Sequence, residues 1–122
     1  MMTIIPLILC SLVALEHVYI FYLESIVPDS TKTSQTFGMS VAVLKDQTVQ
    51  TLIKNQGIYN LMLALVLGYT VLFSANQLEL GLLLTGFVSV VAVYGGLTSS
   101  KSIILKQGLP AMLAFVSLLV FH

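Results

Sequence analysis

Apolar residues run along this chain in four long blocks separated by short polar intervals, covering residues 3–27, 47–73, 77–99 and 102–121. A helix rises about 1.5 Å per residue, so roughly 20 residues cross a hydrocarbon core of about 30 Å. Each block is long enough. The pattern predicts four transmembrane helices.

The intervals set how those helices pack. Ser74-Ala75-Asn76-Gln77 and Ser99-Ser100-Lys101 allow little more than a reversal, so successive helices lie antiparallel. The expected fold is a single all-α domain, an integral membrane four-helix bundle running up-down-up-down. Small residues one turn apart, Ala64 with Gly68 and Ala92 with Gly96, predict close helix approach. The first interval is longer. Pro28 to Thr36 is polar and turn-like, whereas Phe37, Val41 and Leu44 recur at helical spacing, as expected of a short helix at headgroup level. Asp46 stands where an N-cap for the second long helix belongs, and Pro110 marks a kink or a tolerated break in the last.

Composition agrees with the pattern. The chain has 122 residues, 57% hydrophobic and 8% charged, far from the balance of a soluble domain. Five lysines and five acids cancel, and without a basic patch a nucleic-acid partner is not expected. Cys10, the lone cysteine, excludes an internal disulfide and reads as a small buried hydrophobe. The apolar start carries no basic segment, and Glu16 and His17 interrupt the stretch where a signal peptide would stay apolar. It reads as a retained first span. All five lysines (Lys32, Lys45, Lys54, Lys101 and Lys106) fall at one end of the expected bundle. By the positive-inside rule that end is cytoplasmic, giving a multi-pass cell-membrane protein with both termini outside.

Against this background the polar residues inside the spans carry the chemistry. A charged group at bilayer depth costs roughly 2.5 to 3.5 kcal/mol on insertion scales, so such residues face a bundle interior and mark working sites. Ala14 to Glu24 holds two carboxyls and an imidazole. Glu24 is expected about 5 Å, and Glu16 and His17 about 15 to 17 Å, from the cytoplasmic end of the first helix. Asn55, Gln56, Tyr59 and Asn60 lie early in the second helix, Tyr94 and Thr98 late in the third, and Gln107 early in the fourth. All therefore fall in the cytoplasmic half. Glu16, His17, Ile20 and Glu24 share an arc of about 100°, and the four residues from Asn55 to Asn60 one of about 140°. The expected result is a pocket open to the cytoplasm, its candidate ligand-binding residues being Glu16, His17, Tyr19, Glu24, Asn55, Gln56, Tyr59, Asn60, Tyr94, Thr98 and Gln107. The bland alternative is interhelical hydrogen-bond glue, worth about 0.6 to 2 kcal/mol each. No Glu-x-x-His or His-x-x-x-His spacing is present, so neither a metal nor another cofactor is expected.

The motifs Glu16-His17-x-Tyr19-Ile20-x-x-Leu23-Glu24, Asn55-Gln56-Gly57-x-Tyr59-Asn60, Tyr94-Gly95 and Gln107-Gly108-x-Pro110-Ala111 resemble those of a family of small four-span membrane proteins, domain of unknown function 1304. The resemblance covers nearly the whole chain. It implies a four-helix membrane fold and a bacterial or fungal source, and it brings no activity with it. Function must come from the residues. The first reading is a pocket for a small polar-headed or amphipathic ligand, with membrane lipids around it. The second is an intramembrane enzyme with Glu16 and His17 as its catalytic acid and base, acting on a lipid-like substrate. The third is a small dimeric transporter using Glu16, although the one-sided lysines argue against dual insertion. A structural subunit of a larger complex, or a homo-oligomer, completes the set.

Overall fold

A computed structural model describes residues 1–99 and 101–122; of the third connection, Ser100 lies outside the described residues. Six α-helices are present among the described residues. Helix α1 (Ile4–Phe21) continues as a π-helical turn, Tyr22–Ile26; α2 (Thr31–Phe37) and α3 (Val41–Leu44) are short; α4 spans Gln47–Phe73 and α5 Gln77–Thr98; a second π turn, Ile104–Gly108, leads into α6 (Leu109–Phe121). Four segments are long and apolar enough to cross a membrane: Ile4–Ile26, Gln47–Phe73, Gln77–Thr98 and Ile104–Phe121. They form the expected antiparallel bundle, with α1 against α4 and α6, and α5 against α6 and α4.

Each long helix buries one narrow stripe. On α1 it is Pro6, Cys10, Val13, His17 and Ile20, at spacings of three and four. This is the face a 3.6-residue period presents to its neighbours. On α5 the stripe is Gly81, Thr85, Val88, Ala92 and Gly96, and on α6 it begins with Ala111 and Ala114. Lipid is as apolar as leucine, so small residues that let backbones approach are what hold such a seam. A methyl at Gly81 would lie 2.9 Å from Leu118 Cδ1, and one at Gly96 would lie 2.1 Å from Ile104 Cγ1. Ala92 and Gly96 thus make the close approach expected of them. Ala64 is buried, but Gly68 has no neighbour within 4 Å, so that pair is not a contact motif. The hydroxyls of Thr70, Thr85, Ser89 and Thr98 all donate to the carbonyl four residues back, which satisfies them without a second helix.

Both π turns stand just before a proline. Pro28 and Pro110 have no N–H, and their rings crowd the carbonyl four residues earlier, so the turn ahead widens. The widened turns are accommodated by glycines on the neighbouring helices. Ser25, in the first, lies over Gly57 of α4 and donates to the Lys54 carbonyl at 2.8 Å. Ile104, in the second, lies over Gly96 of α5.

The first connection differs from its expected form. Thr31 to Thr36, read as turn-like, are helical together with Phe37, because Ser30 caps the Thr33 amide at 3.1 Å and Gly38 ends the helix at φ 67°. The helix expected across Phe37 to Leu44 is therefore broken there, and Ser40 caps a new turn by accepting from Val43 N. Thr33 anchors α2, its fully buried hydroxyl lying 3.0 Å from the Leu23 carbonyl and 2.8 Å from that of Val27. The Leu23 carbonyl needs this donor, since Pro28, five residues on, has none to offer. Asp46 caps α4, accepting from Val49 N at 3.1 Å.

At the other end, Thr3 Oγ1 donates to the Phe121 carbonyl at 2.6 Å, which sets α1 and α6 in register. Counting inward from that bond places Gln107 level with roughly residue 17 of α1.

Candidate functional site

Helices α4 and α5 meet at the Ser74–Asn76 connection and pack least extensively of the four seams. A half-open cavity of about 600 Å³ lies between them, with Tyr59 and Phe87 exposed at its mouth, and is lined from the middle of both helices toward the lysine-bearing end. Its apolar wall is Leu63 and Val66 of α4 with Leu84, Phe87, Val88 and Val91 of α5. Its polar end is His17 of α1, Glu24 of the first π turn, Gln56, Tyr59 and Asn60 of α4, and Gln107. Phe37, from the end of α2, and Ile103 also line it. The stripe from Gln56 to Val66 recurs at three and four residues, so one face of α4 is polar at its start and apolar further in.

Glu24 is the centre of the polar end. Its residue is only 8% exposed, and Oε1 accepts from Asn60 Nδ2 at 2.6 Å, a side-chain bond that joins α1 to α4. Glu24 continues the buried stripe of α1, four residues beyond Ile20 and seven beyond His17, and Gly57 lets α4 come close enough for Asn60 to reach. His17 is buried deeper in the same cavity wall. Its Nδ1 lies 2.8 Å from the Val13 carbonyl, an acceptor only, so this nitrogen carries the proton and Nε2 is the ring's remaining polar atom.

Glu16 points elsewhere. It lines a second cavity of about 210 Å³, with Tyr19 on the same helix, Lys32 and Thr36 from α2, and Lys106 and Gln107 from the second π turn. Phe37, Ile103 and Gln107 line both spaces and so stand between them. Glu16 Oε1 is buried with no hydrogen-bond partner among the described residues.

Of the residues singled out from the sequence, His17, Glu24, Gln56, Tyr59, Asn60 and Gln107 therefore share the larger cavity, and Glu16, Tyr19 and Gln107 the smaller. Asn55, Tyr94 and Thr98 line neither. Asn55 is exposed, Tyr94 is 70% exposed, and the Thr98 hydroxyl is bonded to the Tyr94 carbonyl. Their depth was readable from sequence, but depth does not fix which side of a helix faces inward. Sequence reasoning missed the apolar wall, Phe87 and Val91 above all, because a cavity-lining side chain and a lipid-facing one have the same composition. Among the described residues no group of three or more metal-ligating side chains comes together.

Four helices long and apolar enough to cross a membrane, with polar side chains gathered between them, define a small multi-pass membrane protein. The chain belongs to the family described as Protein of unknown function (DUF1304), whose model matches residues 11–119. It is similar to a protein of Lactococcus lactis subsp. lactis (strain IL1403) described as Uncharacterized protein YpaA, 51% identical over 116 residues, 95% of this chain and 98% of that one. No solved structure matches the chain.

Proposed function

We propose that the protein binds a small polar-headed or amphipathic molecule in the larger cavity, head toward Glu24 and Asn60 and apolar part along Phe87 and Val91. The observation that carries this reading is the lining: one end of a single space of about 600 Å³ offers an acid, an imidazole and amides, the other only apolar side chains. A volume of that order suits a drug-sized ligand, and a few convergent polar groups in an apolar wall are what orient one. In a low-dielectric surround each such contact counts for more than in water. By the positive-inside rule the lysine bias supports a cytoplasmic polar end, and the head group would then enter from that side or from the inner leaflet.

Two other readings have less support. An acid–base enzyme built on Glu16 and His17 needs them at one substrate, and they line different cavities. A transporter using Glu16 needs a polar route onward, and the space that Glu16 lines shares no residue with the pocket at the terminal end, where Gln77, Glu79 and His122 stand.

The test is native mass spectrometry of protein extracted in mild detergent. Val91→Trp fills the cavity without touching its polar end, and Asn60→Leu removes the donor to Glu24. A bound small molecule is expected on the wild type, absent from Val91→Trp and depleted in Asn60→Leu. Equal occupancy in all three would rule the reading out.

A further inference from the structure

The smaller cavity differs chemically from the larger. One acid, Glu16, and two lysines, Lys32 and Lys106, line it, with Thr36 and Gln107 beside them. Both lysines are exposed, while Glu16 Oε1 is buried and unbonded among the described residues. A buried oxygen without a donor carries the full cost of its lost hydration, and native structures rarely leave one so. Lys106 neighbours Gln107 on the turn that is level with Glu16, yet that oxygen receives no bond from it.

Charge narrows what could complete the site. A simple anion would suit the lysines but bring no donor to Glu16 Oε1; a simple cation would donate to Glu16 but be repelled by the lysines. A molecule bearing both signs satisfies all three side chains. Size narrows it again: about 210 Å³, roughly a third of the larger space, is room for an ammonium and a phosphate joined by two carbons rather than for a drug-sized molecule.

We propose that this cavity is a second binding site, independent of the larger one, for an ammonium–phosphate zwitterion of the phosphoethanolamine type. The ammonium donates to Glu16 and the phosphate accepts from Lys32 and Lys106. The zwitterion has two sources, a free molecule in the cytoplasm or the head group of a phosphatidylethanolamine lying beside exposed Tyr19, and the experiment separates them.

Protein purified in maltoside detergent and phosphate-free buffer is titrated with phosphoethanolamine by calorimetry, then with inorganic phosphate and ethanolamine separately. In parallel, wild-type and variant protein in nanodiscs of mixed phosphatidylethanolamine and phosphatidylglycerol are compared by native mass spectrometry for retained lipid. Saturable binding of phosphoethanolamine, about tenfold or more tighter than either fragment, supports a free ligand; selective retention of phosphatidylethanolamine supports the lipid source. In either case Glu16→Gln, and separately Lys32→Ala with Lys106→Ala, weaken binding about tenfold or more, whereas Val91→Trp leaves it unchanged. The lysine variant alters only exposed side chains, so it stays informative even if Glu16→Gln misfolds. Failure of both arms, equal binding of phosphate alone, or indifference to both the Glu16 and lysine variants would overturn the proposal and leave the larger cavity untouched.

Discussion

The same substitution made at two glycines of α4 should have opposite effects. A methyl at Gly57 would lie 1.9 Å from Ser25 Oγ, 3.0 Å from Ser25 Cβ and 3.1 Å from Glu24 Cβ. The hydroxyl can rotate away, at the loss of its bond to the Lys54 carbonyl, worth about 1 kcal/mol. The two Cβ atoms cannot rotate, so α1 and α4 must part, and overpacking of this kind costs about 1 to 3 kcal/mol. Alanine's better helix propensity returns up to about 1 kcal/mol. The net for Gly57→Ala is a loss of about 1 to 3 kcal/mol. At Gly68 nothing lies within 4 Å, so Gly68→Ala should gain about 0.5 to 1 kcal/mol from propensity alone. Thermal unfolding in one detergent, followed by circular dichroism, reads the difference directly. Equal melting temperatures for the two variants, or a more stable Gly57→Ala, would refute the close approach of the first π turn to α4.

Other outcomes follow from the same contacts. Asn60→Leu should destabilise by about 1 to 3 kcal/mol because it strips the donor from a buried carboxyl. Adding Glu24→Leu should recover part of that loss, giving a non-zero coupling energy in a double-mutant cycle. Thr33→Val removes the hydroxyl from the Leu23 and Val27 carbonyls, so hydrogen exchange should speed up across residues 31–37 while the four spans stay protected. With buried Cys10 replaced by alanine, a cysteine introduced at exposed position 45 should react with an impermeant thiol reagent in inside-out membrane vesicles and stay protected in right-side-out ones; the opposite pattern would reverse the orientation.

The spans were legible in the sequence because an unbroken apolar run of about 20 residues has few other uses. Asp46 and the Ala92–Gly96 pair were legible for local reasons, a cap and a small-residue seam. The partition of the polar residues was not. Glu16 and Glu24 lie eight residues apart, about 80° around an ideal helix, which keeps both in one arc without saying how neighbouring helices divide it. Glu24 follows His17 and Ile20 on the buried stripe and meets Asn60 beside Gly57, whereas Glu16 faces α2 and the second π turn. Pro28 was visible, but its effect on the turn before it depended on a partner glycine two helices' worth of sequence away. The fold of α2 was hidden for a similar reason: polar residues Thr31 to Thr36 have no apolar period, and their helix is held by the Ser30 cap and the Thr33 bonds to α1.

The central claim concerns what fills the gap between α4 and α5, and a high-resolution density map of the protein in nanodiscs made from native lipid extract addresses it most directly. The account predicts elongated density that begins within hydrogen-bonding distance of Glu24 and Asn60 and runs between Phe87 and Leu63. A map in which Leu63 and Phe87 touch across a closed seam, or in which the gap holds only disordered solvent, would contradict it.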